Sequence, residues 1–262
     1  MKATAPLILA AALAGPAAGH AEPLFLNSIV STDIDFINAD DPHVFECIEY
    51  NGRDRREMPD KRRDELFAND AFVFTARFAD GTRVGLWAHP DFRSPETALA
   101  TAEKITRPLG KLPTFMRRNL SHVVLHVGDE TAFAEDLGRF FVMYSENIDD
   151  RVRTRDIEET VFHEAVHATL DEPHARSGIW QRAQAEDDAF VTQYAADFPQ
   201  REDLAESAIF AFAMHYHPGR LPRAVERNVR ATMPERLGFF DKLFEAGEPY
   251  FQQIAEPRGC DG

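Results

Sequence analysis

The chain has 262 residues, of which 44% are hydrophobic and 28% are charged, as in ordinary folded proteins. This balance argues against both intrinsic disorder and a membrane-embedded bundle, and the length allows one large domain or one domain with a smaller N-terminal part. The formal net charge is −15. Because such an acidic surface repels phosphate groups, we expect no nucleic-acid partner.

Residues 1–21 have the pattern of a secretory signal peptide. Lys2 supplies a positive start, residues 7–14 are apolar, and residues 18–21 provide small side chains for cleavage. The apolar stretch is much shorter than the roughly 20 residues needed to cross a bilayer, and no later segment is apolar enough to do so. Removal of this segment takes away one positive charge and no acid, so the net charge of −15 becomes −16. The pattern predicts an exported protein, periplasmic or secreted, with no membrane span in the mature chain.

The two cysteines of the chain, Cys47 and Cys260, both follow the predicted signal peptide. In an oxidising compartment such a pair is expected to form one disulfide, which would tie the C-terminal tail to the N-terminal region. The alternative is two free, buried cysteines. Neither cysteine belongs to a CxxC motif, so a zinc site built from cysteines is not expected.

The apolar pattern predicts strands in the first part of the chain and helices in the last part. Residues 71–88 alternate as a hairpin that turns at Asp80 and Gly81. The other predicted elements are a helix at 95–106, a second short helix that ends at 118, strands at 122–127 and 139–144, a polar loop at 147–150, and helices at 156–170, 177–197, 201–216 and 221–246. This order predicts an α+β fold, with a small N-terminal sheet and helix part at 22–120 and a mostly helical catalytic region at 121–262, which can form one continuous domain.

The helix predicted at 156–170 carries the sequence His163-Glu164-Ala-Val-His167. Two histidines four positions apart lie one turn apart on the same helix face, so both imidazoles can reach one zinc ion. Glu164 is offset around the helix, where it can act as general base without binding the metal. The alternative is a solvated polar face, but the apolar neighbours of these residues predict a buried helix, in which unpaired His and Glu would be costly.

A catalytic zinc commonly has three protein ligands and one position for water, so a third ligand is needed. The extended HExxHxxGxxH pattern is excluded, because Leu170 and Pro173 occupy its glycine and third-histidine positions. The third ligand must therefore come from another helix.

Glu202 and Glu206 are four positions apart on one face of the helix predicted at 201–216. This arrangement allows Glu202 to bind zinc while Glu206 accepts a hydrogen bond from the N–H of a ligating histidine. The alternative is an acidic first turn stabilised by the helix dipole. That explanation fits Glu202 better than Glu206, whose neighbours are apolar.

At this point the sequence resembles a known family, the gluzincin zinc metallopeptidases, which carry HExxH on one helix and ExxxE or ExxxD on the next. Residues 202–206, EDLAE, resemble the E(D/F)xAE segment of lethal-factor-like and Pro-Pro-endopeptidase-like gluzincins, in which the first glutamate binds zinc. Residues 163–171, HEAVHATLD, are similar to the HExxHAxxD helix of thermolysin-type enzymes. The likeness covers about residues 155–216 and implies a zincin-like catalytic fold. Residues 22–150 contain no recognised motif.

In these families a tyrosine shortly before the glutamate ligand stabilises the oxyanion, and the resemblance implies this role for Tyr194. Its offset from Glu202 is one residue longer than in the family pattern, and the alternative is a packed tyrosine at a helix end. His215 and Tyr216 are further candidate donors. Asp171 is either the hydrogen-bond partner of a ligating histidine or a residue of the helix end.

Together these features predict an exported, bacterial-type zinc metalloendopeptidase with one Zn²⁺ ion and a peptide or protein substrate. Glu164 would take a proton from the water held at the zinc. The strand at 139–144 is expected to line the cleft and pair with an extended substrate. The alternatives are a non-catalytic zinc-binding protein of the cell envelope with an interaction role, and a hydrolase of a non-protein amide.

Overall fold

The alternating residues 71–88 form two antiparallel strands of a six-stranded mixed sheet, with Phe72 opposite Ala88, which confirms the predicted hairpin. Gly81 in the turn has φ of +81°, a value that L side chains rarely adopt. The computed structural model describes residues 21–247 and residue 260. The strands are β1 (Phe45–Glu57), β2 (Phe67–Phe78), β3 (Arg83–Ala88), β4 (His122–His126), β5 (Phe133–Glu135) and β6 (Phe140–Tyr144).

The strand order is β1-β2-β3-β4-β6-β5. Strands β1, β2 and β3 are antiparallel, β4 and β6 continue the sheet in parallel, and β5 pairs antiparallel with β6 at the edge. The expectation that residues 139–144 pair with substrate is therefore wrong, because β6 is hydrogen-bonded on both sides. The chain between β4 and β6 folds back as β5, which holds the edge position.

Nine helices belong to the described residues: α1 (Pro95–Gly110), α2 (Thr114–Asn119), α3 (Ser145–Thr154), α4 (Ile157–Leu170), α5 (Gly178–Glu186), α6 (Gln193–Asp197), α7 (Asp203–Tyr216), α8 (Arg223–Thr232) and α9 (Pro234–Ala246). Together with the sheet they confirm the predicted α+β class. The boundary predicted at residues 120 and 121 falls within the sheet, since strands from both sides of it are hydrogen-bonded neighbours.

Three predicted elements differ from the structure. The polar loop at 147–150 is part of α3, whose polar residues face outward while Ile148 is fully buried. The helix predicted at 177–197 is divided, because the segment after α5 is extended and the Asp187 carboxylate accepts hydrogen bonds from the backbone N–H groups of Glu235 and Arg236. The helix at 221–246 is divided before Pro234, which begins α9 at a position that favours proline.

Helix α4 is the central helix of the structure. It contacts α1, α7, β5 and β6, and all of its residues except His167 are buried. A smaller apolar cluster that includes Met58, Val142 and Tyr144 covers part of the sheet in addition to the main core. The helix that carries the predicted site is therefore packed into the core of the fold.

The N-terminal segment of the described chain crosses the helices that carry the predicted site. Phe25 forms a parallel bridge with Thr192, and the backbone N–H groups of Phe36 and Ile37 each donate to Glu159 Oε1 of α4 at 3.0 Å. This segment thus fastens α4 to the residues before α6.

Cys47 of β1 and Cys260 form a disulfide with a Cα–Cα distance of 5.4 Å. The predicted signal peptide lies outside the described residues except for its last residue, Ala21. Within the described part of the chain, no helix has the length and apolar character needed to cross a bilayer.

Candidate metal centre

Three side chains from two helices converge on one point. His163 and His167 lie one turn apart on α4, and Glu202 immediately precedes α7. The two Nε2 atoms are 3.1 Å apart, and Glu202 Oε2 lies 3.4 Å from that of His163 and 3.2 Å from that of His167. These are the three residues that the sequence analysis predicts as ligands, and they form the one group of potential ligands found among the described residues.

The distances between the three atoms fit a tetrahedral ion. Zinc bonds of about 2.0–2.1 Å place neighbouring ligand atoms of a tetrahedron about 3.3 Å apart. The three observed separations, 3.1, 3.2 and 3.4 Å, lie on either side of this value. A group of two imidazole nitrogens and one carboxylate oxygen is also the donor set of several catalytic zinc sites, so the residues fit one zinc ion.

Asp171 fixes the orientation of the His167 ring. Its Oδ2 atom lies 2.7 Å from His167 Nδ1, so the opposite nitrogen, Nε2, faces Glu202. Asp171 retains helical dihedral angles, φ −64° and ψ −49°, because the chain continues from α4 into a π-helical turn at residues 171–175. Of the two alternatives for Asp171, the structure shows a hydrogen-bond partner of the histidine. Such a bond sets the tautomer and raises the basicity of the ligand.

Glu206 is fully buried beside His163, but its main hydrogen bonds are made elsewhere. Its Oε1 atom accepts from Ser28 Oγ at 2.6 Å, and its Oε2 atom accepts from the backbone N–H of Ile29 at 2.9 Å. The distance from His163 Nδ1 to Glu206 Oε1 is 3.6 Å, longer than a hydrogen bond. Glu206 therefore links the N-terminal segment to α7 and lies beside His163 without a hydrogen bond to it.

Glu164 lines the same cavity as the three ligand candidates and is 8% exposed. Burial raises the pKa of this carboxyl, and the positive charges of His163, His167 and Lys61 oppose the rise. A carboxylate with a raised pKa binds a proton more readily than an exposed one, which suits a general base.

The two residues that share a hydrogen bond in this centre have opposite pKa shifts. Burial disfavours the charged form of His167, but hydrogen bonds to Asp171 and Glu202 outweigh it and raise the pKa of His167 to about 10. Burial also acts against the charged form of Glu202, and the hydrogen bonds from His163 and His167 hold its pKa well below the usual range. The contact between the two residues therefore stabilises the charged form of each.

Tyr194, at the start of α6, reaches the same group. Burial raises the pKa of its phenol, and the negative charge of the nearby Glu202 carboxylate raises it further. Its ring packs edge-on against Phe198 at 5.4 Å. The two other candidate donors, His215 and Tyr216, do not line this cavity, and His215 lies 3.3 Å from Asp241 instead.

The centre opens into a cavity of about 680 Å³, within the usual size of a ligand pocket. One wall is residues 131–136, which include β5, and the N-terminal segment contributes Ser28 to another. The sequence analysis did not identify Ser28 or Lys61 as parts of this cavity. Both lie in the region without a recognised motif, and no local pattern distinguishes them.

Comparison of the chain with family models, curated proteins and solved structures finds no match.

Proposed function

We propose that this chain is an exported zinc metalloendopeptidase, with His163, His167 and Glu202 holding the ion. The proposal depends on the convergence of two imidazole nitrogens and one carboxylate oxygen at mutual distances of 3.1–3.4 Å. Burying three polar atoms this close together is energetically costly unless a cation or bound protons balance their negative charge and lone pairs.

When bound, zinc would supply Lewis acidity, polarising a carbonyl and lowering the pKa of water. The protein would supply the proton transfers. Glu164 lies in the same cavity and is not required as a ligand, so its carboxylate can take a proton from the attacking water and return it to the leaving amine. Its raised pKa favours holding that proton between the two steps.

Tyr194 is the proposed donor to the negative charge that develops on the carbonyl oxygen. Tyr194 lines the same cavity as the three candidate ligands, and the raised pKa of its hydroxyl keeps it protonated at neutral pH. A donor that is already oriented stabilises the developing charge without reorganisation during the reaction.

The edge strand β5 is the proposed docking strand for an extended peptide. Its residues line the cavity, and it pairs on one side only, with β6. Added strands gain main-chain hydrogen bonds at such an edge, and alternate side chains would then face the cavity. In this proposal β5 replaces residues 139–144 of the sequence-based expectation.

The test is Glu164→Gln, which keeps the shape of the side chain and removes its basicity. Purified wild type should contain about one zinc and cleave members of a mixed peptide library, with cleavage abolished by a chelator. The variant should retain its zinc, measured by mass spectrometry, and lose about 10²–10⁴-fold in kcat. Glu172→Gln is the matched control, because Glu172 is exposed nearby and does not line the cavity.

Equal cleavage by wild type and Glu164→Gln would exclude catalysis by this site. A wild-type protein that binds zinc and cleaves no peptide would instead favour a non-catalytic zinc-binding protein or a hydrolase of another amide.

A further inference from the structure

The cavity rim carries basic side chains although the chain as a whole is acidic. The sequence has 29 basic and 44 acidic residues, yet Lys61, Arg176 and Arg201 all line this cavity. Among the described residues, none of the three forms an ion pair with a carboxylate, whereas other cations of the chain, such as Arg62, do. The same lining contains the carboxylates of Glu135 and Asp136, so the three basic side chains are an unpaired set of charges rather than an excess of positive charge.

The ammonium group of Lys61 is held by several hydrogen bonds to one neighbouring segment. Its Nζ atom donates to Thr131 O at 3.1 Å, Thr131 Oγ1 at 2.9 Å and Ala132 O at 3.3 Å, and it lies 5.0 Å from the centre of the Phe133 ring. All of these partners are neutral, so they hold the charge in place without cancelling it. They also lie at the start of β5, the proposed docking strand.

Hydrogen bonds to buried residues hold the backbone of Lys61 in place. Its N–H donates to the Tyr144 hydroxyl at 3.1 Å, and that hydroxyl donates to Asp60 Oδ1, also at 3.1 Å. The Asp60 side chain is 1% exposed and forms two further hydrogen bonds, each 2.9 Å, with the guanidinium group of Arg62. The buried aspartate thus fixes the loop that presents the lysine to the cavity.

Lys61 lines the same cavity as Glu164, the proposed general base, and as the three candidate ligands. A ligand group bound to Lys61 would therefore lie in the cavity of the metal centre rather than at a remote surface.

We propose that Lys61 binds a carboxylate of the peptide substrate close to the scissile bond, so that acidic peptides are preferred. This inference rests on the proposed peptidase function and names its substrate class. An ammonium on a fixed stem is a point-charge partner for a carboxylate. Its three N–H donors already have neutral acceptors, so an incoming carboxylate would replace the longest of these bonds, the one to Ala132 O at 3.3 Å. The carboxylate can belong to an acidic side chain or to a free C-terminus.

The experiment compares matched peptides that differ in one carboxylate. One pair has Glu or Gln at a defined position beside the cleaved bond, with an amidated C-terminus, and a second pair has a free or an amidated C-terminus with neutral side chains. For wild type we expect kcat/KM to be about fivefold higher for the carboxylate member of one pair, the size of a partly exposed ion pair. The pair that shows the preference identifies the source of the carboxylate.

In Lys61→Met the ratio within that pair should fall to about one, and Lys61→Arg should retain part of it. Lys242→Met is the control, because Lys242 is an exposed lysine of α9 that does not line the cavity. The preference should also decrease with added salt, since exposed charges are screened. An unchanged ratio in Lys61→Met, with zinc content and thermal unfolding like those of wild type, would overturn the inference.

A binding measurement separates this inference from the proposed function. Fluorescein-labelled pentapeptide pools with central Glu, with central Gln, or with a free C-terminus are titrated against zinc-loaded Glu164→Gln by anisotropy. Tighter binding of one carboxylate pool, lost in the Glu164→Gln, Lys61→Met double variant, supports the subsite even if no peptide is cleaved by wild type. Equal binding of all pools would overturn the inference even if cleavage is observed.

Discussion

Asp171 Oδ2 lies 2.7 Å from His167 Nδ1, one helical turn beyond the histidine that it orients. This contact exists because the chain continues past α4 as a π-helical turn, although Pro173 cannot donate a helical hydrogen bond. We expect Asp171→Asn to lower zinc affinity by about 10–100-fold, as is usual when such a partner is removed. Competition with a chromophoric chelator measures the zinc affinity. Glu172→Gln is the control, because Glu172 is the exposed neighbour of Asp171. Equal zinc affinities of the two variants would show that the contact between Asp171 and His167 has no effect on metal binding.

Zinc binding should release protons at neutral pH. In the metal-free protein the pKa of His167 is raised to about 10, so this ring is protonated at pH 7 and must lose its proton to bind a metal. Apparent affinity should therefore fall by about tenfold for each pH unit below 10 for each proton displaced. Calorimetry in two buffers of different ionisation enthalpy counts the protons. A binding enthalpy that does not depend on the buffer would contradict this state of His167.

Glu202 and Glu206 should have different effects when truncated. Glu202→Ala removes the carboxylate oxygen that lies within 3.4 Å of both Nε2 atoms, so we expect zinc affinity to fall by orders of magnitude. Glu206→Ala removes the acceptor for Ser28 and Ile29 and should mainly destabilise the N-terminal segment, with a smaller loss of zinc affinity. Zinc titration and thermal unfolding of both variants test this, and a larger zinc loss in Glu206→Ala would contradict the ligand assignment.

The central part of this site could be predicted from the sequence because its geometry is local. His163 and His167 share a face through the helical repeat, and Glu206 follows Glu202 by the same rule. The long-range element, the approach of α7 to α4, was predicted from the resemblance and from the need for a third ligand. Periodicity does not specify which helices are neighbours.

Other features depended on tertiary contacts that no local pattern contains. Asp187 ends α5 by bonding to the start of α9, 48 residues later in the sequence. Strand β5 has only three residues, too few for alternation to be recognised, yet it displaces β6 from the sheet edge. Lys61 enters the cavity because buried Asp60 and Tyr144 fix its loop, and this contact joins two distant segments.

Tyr194→Phe tests the proposed oxyanion donor. The hydroxyl is removed while the ring can still pack against Phe198, so zinc content and folding should be unchanged. We expect kcat to fall by about 10–100-fold with little change in KM, since the bond is made in the transition state. Tyr216→Phe is the control, because Tyr216 does not line the cavity. If kcat is unaffected in Tyr194→Phe, the tyrosine has only a packing role.

Ionisation of Glu159 should lower the free energy of unfolding as the pH rises. Burial raises the pKa of this carboxyl from its ordinary value of 4.5 to about 7, and its Oε1 atom accepts from the N–H groups of Phe36 and Ile37. Its Oε2 atom has no hydrogen-bond partner among the described residues. The neutral acid therefore fits the site better than the carboxylate.

Between pH 4.5 and 7 the folded protein holds a proton at Glu159 that the unfolded chain has released, so the free energy of unfolding decreases as the pH rises through this range. The loss at this group should be about 3 kcal/mol at most by pH 7–8. Glu159→Gln keeps an acceptor for both N–H groups and cannot ionise, so its stability relative to wild type should increase from pH 4.5 to pH 8. Urea unfolding of both metal-free proteins measures the difference, and Glu146→Gln, at an exposed position of α3, is the control. A difference between Glu159→Gln and wild type that does not change with pH would show that Glu159 is ionised to the same extent in the folded and unfolded states.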